Sequence, residues 1–96
     1  MSTIKVTRHH QLDHQHALQA ADELAQSLSR DFDVQYQWKD EVLYFNRRGA
    51  SGELHVGPQT IQIELKLGLL LSAFRDRIER EIHHHLDHLL EQGRQA

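Results

Sequence analysis

The chain has 96 residues and a mass of 11.2 kDa, enough for one domain, residues 1–96, with a thin core. Apolar residues make up 39% and charged residues 26%, which excludes a disordered chain, and a net charge of −3 lacks the basic footprint of a nucleic-acid binder. The absence of cysteine excludes disulfides, thiolate metal sites and a cysteine nucleophile, and the longest apolar stretch, Leu67 to Leu71 interrupted by Gly68, is far too short to span a membrane.

In chain order, Ile4 and Val6 alternate with Lys5 and Thr7 and predict a first strand over about residues 3–8. Asp13 stands where a helix N-cap belongs, and Leu12 and Ala17 have the spacing of a hydrophobic staple. Ala17, Ala21, Leu24 and Leu28 then recur at helical spacing, as do Leu18, Ala25 and Phe32, predicting a helix over about 14–30 with a mostly alanine core face. Four alternating runs follow: Val34, Tyr36 and Trp38; Val42 to Phe45; Leu54 and Val56; and Ile61, Ile63, Leu65 and Leu67. Period-2 patterning marks strands with one buried face.

Two-residue turns at Lys39-Asp40, Gly49-Ala50 and Pro58-Gln59 link these runs in this reading. They place Tyr36 opposite Leu43, Phe45 opposite Leu54, and Val56 opposite Ile61. All three send Leu43, Phe45, Leu54, Val56, Ile61 and Ile63 to one face, and a one-residue slip would destroy that agreement. The last segment reads as a helix with Ser72 as a candidate N-cap, the alternative being that Leu69–Leu71 already belong to it. Its apolar stripe is Leu71, Phe74, Ile78, Ile82, Leu86 and Leu89, and Gly93 is a natural stop. The expected fold is α+β with order β-α-β-β-β-β-α. Five antiparallel strands form one sheet, the first beside the last, and two helices pack on one face. The second strand, Val34 to Trp38, and the first strand would be the two edges.

Nine histidines are the compositional anomaly. His84 and His88 share a helix face near Asp87 and Glu91, but two ligands are fewer than zinc sites draw from a protein, so no metal is expected. His85 falls on the apolar stripe and is expected to be hydrogen-bonded and partly buried. His10 and His14 repeat the i, i+4 spacing, with His10 ahead of the helix. His55 and Glu64 could meet on neighbouring strands as an acid–base pair, although alternation alone puts polar residues there. Gly49-Ala50-Ser51-Gly52 lacks the spacing of a nucleophile elbow, and no phosphate-binding glycine pattern occurs, so neither an enzyme nor a cofactor is expected. Arg47, Arg48 and Lys39 read as a solvated loop region. The uncovered sheet face should carry Gln35, Gln37, Val42, Tyr44, Asn46, His55, Gln62, Glu64 and Lys66. Of these, Gln35, Gln37, Val42, Tyr44, His55 and Gln62 are the candidate partner-binding residues.

The segments Val34 to Trp38, Glu41 to Gly52 and Leu65-Lys66-Leu67-Gly68-Leu69-Leu70-Leu71, with Phe74, Ile78-Glu79, Glu81-Ile82 and Leu86-Asp87, resemble the polyhydroxyalkanoic acid system protein family, also described as polyhydroxyalkanoate granule-region proteins. The His83–His85 run departs from that pattern, where charged or aromatic residues are expected. The resemblance implies a small bacterial, cytoplasmic, non-enzymatic accessory protein of polyester storage, acting on a protein partner or the granule surface, and it carries over no catalytic residues. The lack of an apolar leader in Met1 to Lys5 agrees with a cytoplasmic location. The element order also resembles TATA-binding-protein-like and helix-grip folds, a likeness that transmits no DNA binding. A helix-grip carrier of an acyl or other apolar ligand is the alternative. Association, with a second copy in a two-fold homodimer or with a partner, is expected to use the Val34–Trp38 edge and the adjoining face around Tyr44, with Gln37 offering its backbone N–H outward.

Overall fold

Alternating apolar residues and a run of short turns produce one antiparallel sheet, and the two amphipathic segments produce the helices that cover it. The computed structural model describes the backbone of residues 2–94 and the side chains of residues 2–90. The elements are β1 (Ser2–His9), α1 (His14–Phe32), β2 (Gln35–Lys39), β3 (Val42–Arg47), β4 (Ala50–Val56), β5 (Thr60–Leu67), α2 (Leu69–Ser72) and α3 (Arg75–Arg94). The strands lie in the order β1-β5-β4-β3-β2, all antiparallel. Thus β1 does join the sheet beside the last strand, and β1 and β2 are its edges.

Asp13 caps α1 as its position requires. Its carboxylate accepts the backbone N–H of His16 at 2.8 Å, while its carbonyl accepts that of Ala17 at 2.9 Å. The first of these bonds, with the His16 side chain second, holds the Asp13 carboxyl below the ordinary aspartate range. The helix ends at Phe32 because Asp33 turns left-handed, at φ 57°. Ala17, Ala20, Ala21, Leu24, Ala25 and Leu28 are buried, so the alanine face lies against the sheet. Two contacts lock it there. The Trp38 indole N–H donates to Asp22 at 2.8 Å, and Arg47 donates to the Phe32 carbonyl at 2.6 Å, satisfying an orphan acceptor of the helix end.

The inner sheet face carries the predicted residues. Leu43, Phe45, Leu54, Ile61 and Ile63 are buried and Val56 half-buried, whereas Tyr44 is exposed and Val42 half-buried. Two hairpin registers differ from expectation. The β2–β3 turn is Asp40-Glu41, which pairs Trp38 with Leu43 and Tyr36 with Phe45. Both turn residues have positive φ (52° and 69°), as a type I′ turn needs, and the twist of such a turn matches that of the flanking strands. It also extends β2 from Gln35 to Lys39, not Val34 to Trp38. The β3–β4 turn is Arg48-Gly49, with Gly49 (φ 86°) at the second central position and not the first, pairing Leu43 with Leu54 and Phe45 with Gly52. Each pairing moves by two residues, and a shift of two leaves every side chain on its face. The β4–β5 register, with Val56 opposite Ile61, is as expected.

The last helical segment is broken where the sequence reads as continuous. Gly68, not Ser72, is the N-cap of α2. Ser72 closes this single turn, its backbone N–H and its hydroxyl each donating to the Gly68 carbonyl at 2.9 Å. Helix α3 starts afresh at Arg75, with Ile78 N–H bonded to the Phe74 carbonyl, and runs through Gly93 to Arg94. Its buried stripe is Ile78, Ile82, Leu86 and Leu90. Leu89 and Leu71 are half-buried, and Phe74 is 48% exposed, so the break removes Phe74 from the core. Among the described residues, no helix is long and apolar enough to cross a membrane.

Candidate interaction surface

With both helices on one side, the other face of the sheet is uncovered, and cross-strand pairing aligns its side chains in rows. One row is Gln37, Tyr44, Glu53, Glu64 and Lys5; the next is Lys39, Val42, His55, Gln62 and Thr7; a third is Gln35, Asn46, Ser51, Lys66 and Thr3. All six candidate partner-binding residues, Gln35, Gln37, Val42, Tyr44, His55 and Gln62, therefore lie on this face in adjacent rows. Glu53 and Glu64 stand directly opposite one another, an unfavourable like-charge pair that each relieves separately. His55 Nε2 lies 3.3 Å from Glu53 Oε2, and Lys5 Nζ lies 3.6 Å from Glu64 Oε2. The acid–base pair considered between His55 and Glu64 is thus not formed. His55 is opposite Gln62 and turns along its own strand to Glu53 instead.

The free edge of β2 presents backbone groups beside this face. The pair flanking a two-residue hairpin turn is a hydrogen-bonded one, and the phase alternates from there. Lys39–Val42 and Gln37–Tyr44 are accordingly bonded pairs, so the outward N–H groups belong to Tyr36 and Trp38. The one-residue move of the turn reverses the expectation that Gln37 offers its N–H to a partner; it offers its side chain.

A second exposed feature lies at one end of the molecule. Leu69 and Leu70 are 83% and 81% exposed, and Phe74 follows at 48%. The cause is local. Gly68 donates to the Gly49 carbonyl at 2.7 Å and starts α2 against the β3–β4 turn. Leu71 packs against the core from there. At about 100° per residue, a helical turn that points Leu71 inward must point Leu69 and Leu70 away. The sequence shows the leucines but not the break at Ala73-Phe74 that leaves them uncovered. On the same end, Arg48 and Lys66 are exposed and have no acidic partner among the described residues.

The histidines take separate roles. His10 is buried, 6% exposed. Its Nδ1 accepts the Leu12 backbone N–H at 3.1 Å, which leaves Nε2–H to donate to the Gly57 carbonyl at 3.0 Å. It ties the β1–α1 link to the β4–β5 turn. His14 Nε2 lies 3.0 Å from Glu41 Oε1 and ties α1 to the β2–β3 turn. His85 is half-buried, 3.4 Å from Glu81 and 3.5 Å from Ser27 Oγ, as its place on the stripe predicts. His84 and His88 are exposed, and the Glu91 side chain lies outside the described residues. The described residues that bring three metal-ligating atoms within 4.8 Å are Asp31, Glu81 and His85, a set that includes neither His84 nor His88. Between sheet and helices, near Phe45 and Leu65, the void measures about 20 Å³.

The architecture is an open-faced α+β sandwich: one sheet, helices on one side, and an apolar corner where the sheet hands over to the last helix. The family model described as "Putative polyhydroxyalkanoic acid system protein" matches residues 4–90, and the chain belongs to that family. A comparison with curated proteins finds no match.

Proposed function

We propose that this chain is a small non-enzymatic accessory protein of polyhydroxyalkanoate storage in the bacterial cytoplasm, working by binding a protein partner of that system. The observation that carries the reading is the uncovered sheet face. Its rows set the uncharged donors and acceptors Gln35, Gln37, Asn46 and Gln62 among the paired charges of Glu53, Glu64 and Lys5, around an exposed Tyr44, beside a β2 edge whose outward N–H groups belong to Tyr36 and Trp38. Family membership supplies the system. The alternative, a carrier of an acyl ligand, needs an enclosed apolar cavity of some hundreds of Å³; the apolar void between sheet and helices is about 20 Å³, and the hollow of about 790 Å³ beside Arg8, His9, Gln11, Gln59 and Asp87 is open and lined mostly by polar residues, so binding is favoured over carriage.

The test is affinity capture from polyester-accumulating cells, with granules separated from cytosol and the captured proteins identified. The reading expects a polyester-system protein to be retained by the wild type and lost with a folded Tyr44→Glu variant. Equal retention by both contradicts the open face as the contact. A Tyr36→Pro variant, compared with Tyr36→Ala to account for the lost ring, tests the β2 edge by removing an outward N–H.

A further inference from the structure

We propose that the corner formed by Leu69, Leu70 and Phe74 docks on the polyester itself. The inference rests on the assignment to the polyhydroxyalkanoate system and extends it from a protein partner to the polymer surface. Soluble proteins scatter single apolar side chains over their surfaces, so one exposed leucine needs no explanation. Here two adjacent leucines stand more than four-fifths exposed with a half-exposed phenylalanine beyond them, at a place where the backbone is fixed. Gly68 is bonded to Gly49, Ser72 bonds back twice to Gly68, and the Ser72 and Ser2 hydroxyls lie 3.0 Å apart. A mobile loop could fold its leucines away; this braced turn cannot without unseating Leu71 from the core.

The chemistry of the corner selects among possible occupants. A polyhydroxyalkanoate surface consists of alkyl groups and ester carbonyls: apolar area and hydrogen-bond acceptors, with no donors and no charge. Its complement is an apolar patch bordered by donors free of competing carboxylates. Arg48, on the turn bonded to Gly68, and Lys66, at the end of β5, are exposed donors of this kind. The acidic groups nearest in sequence are already paired, Glu64 with Lys5 and both Asp76 and Glu79 with Arg75. Leu69, Leu70 and Phe74 lie beyond the end of β5, and of the corner's residues only Lys66 belongs to the open face, so a chain seated on polymer through the corner keeps the Gln37–Tyr44 side of that face available to a protein.

The experiment measures co-sedimentation of purified protein with amorphous polyhydroxyalkanoate particles, in parallel with polystyrene particles of equal size and vesicles of anionic phospholipid. Light scattering is run on the free protein. The proposal expects wild type to bind the polyester. Leu69→Ser/Leu70→Ser should lose that binding by on the order of a hundredfold, as the loss of two leucines that the polymer would cover requires. Arg48→Ala/Lys66→Ala should lose less, and Tyr44→Glu should bind polyester as the wild type does. Tyr44→Glu thereby separates this proposal from the protein-partner reading, since it should fail only in cell-extract capture. Undiminished polyester binding by the double-serine variant overturns the proposal. So does equal binding to polystyrene, binding to phospholipid vesicles alone, or a wild-type dimer dispersed by the serines with no polyester binding. Thermal unfolding of the double-serine variant should match the wild type, and Leu69→Met/Leu70→Met, which keeps the apolar area, should restore binding.

Discussion

Leu65 and Leu67 at the end of β5 are 5% and 4% exposed, whereas Leu69 and Leu70, just beyond them, are 83% and 81% exposed. The residue type is the same and the chain distance is a few residues. The difference is backbone geometry. In β5 alternate side chains share a face, and that face meets both helices. At Gly68 the chain leaves the sheet, and one helical turn distributes three leucines over three directions, of which only that of Leu71 leads inward. Hydrophobicity in the sequence therefore marks two different things in one run: the residues that hold the fold, and residues left for something outside it.

Substitutions can break or sharpen this contrast. The largest effect is expected where the inner face is densest: Phe45→Ala, at a side chain 3% exposed, should lower stability by about 3–5 kcal/mol in denaturant unfolding. Leu65→Ala should follow at about 2–5 kcal/mol. Gly52→Ala probes the same face by overfilling. A methyl there would overlap the Glu64 carbonyl and lie 2.6 Å from Leu65 Cδ2, so destabilisation of about 1–3 kcal/mol is expected where a residue is only enlarged.

His10→Ala comes next. It leaves the Gly57 carbonyl and the Leu12 N–H without their partner in a buried place, a loss of about 1–3 kcal/mol. Asp13→Ala should lower the melting temperature at neutral pH by removing the α1 cap. Because the folded carboxyl lies below its ordinary value, the cap's contribution is complete above the unfolded aspartate pKa of about 3.9. It fades as the pH falls from there through the folded value. The gap in melting temperature between wild type and Asp13→Ala should close over that acid window and stay constant above it. The smallest effect belongs to Leu69→Ser and Leu70→Ser, within about 0.5 kcal/mol of the wild type. A large loss at either would mean that these leucines are core after all.

The sheet was legible because three hairpins had to agree on one face, and errors of two residues in two of the registers left Leu43, Phe45, Leu54, Ile61 and Ile63 where alternation put them. What alternation does not encode is hydrogen-bond phase. Moving the β2–β3 turn by one residue transferred the outward N–H groups from Gln37 to Tyr36 and Trp38. The Asp13 cap and the half-buried place of His85 followed from local spacing. The partnership of His10 with Gly57, and of Arg47 with the Phe32 carbonyl, joins residues distant in sequence and has no local signal. The apolar corner was hidden for the opposite reason. Leu71 and Phe74 continue the stripe of Ile78 and Ile82 at helical spacing, and only the break after Ser72 shows that Phe74 leaves it.

The most direct test of the division between holding leucines and presented leucines is hydroxyl-radical footprinting of the protein, free and bound to polyester granules. In the free protein, Leu69, Leu70 and Phe74 should be oxidised readily and Leu65 and Leu67 hardly at all; on granules the first group should become protected and the second remain so. Oxidation of Leu69 and Leu70 that is equally low in the free protein, or equally high in both states, would contradict the account.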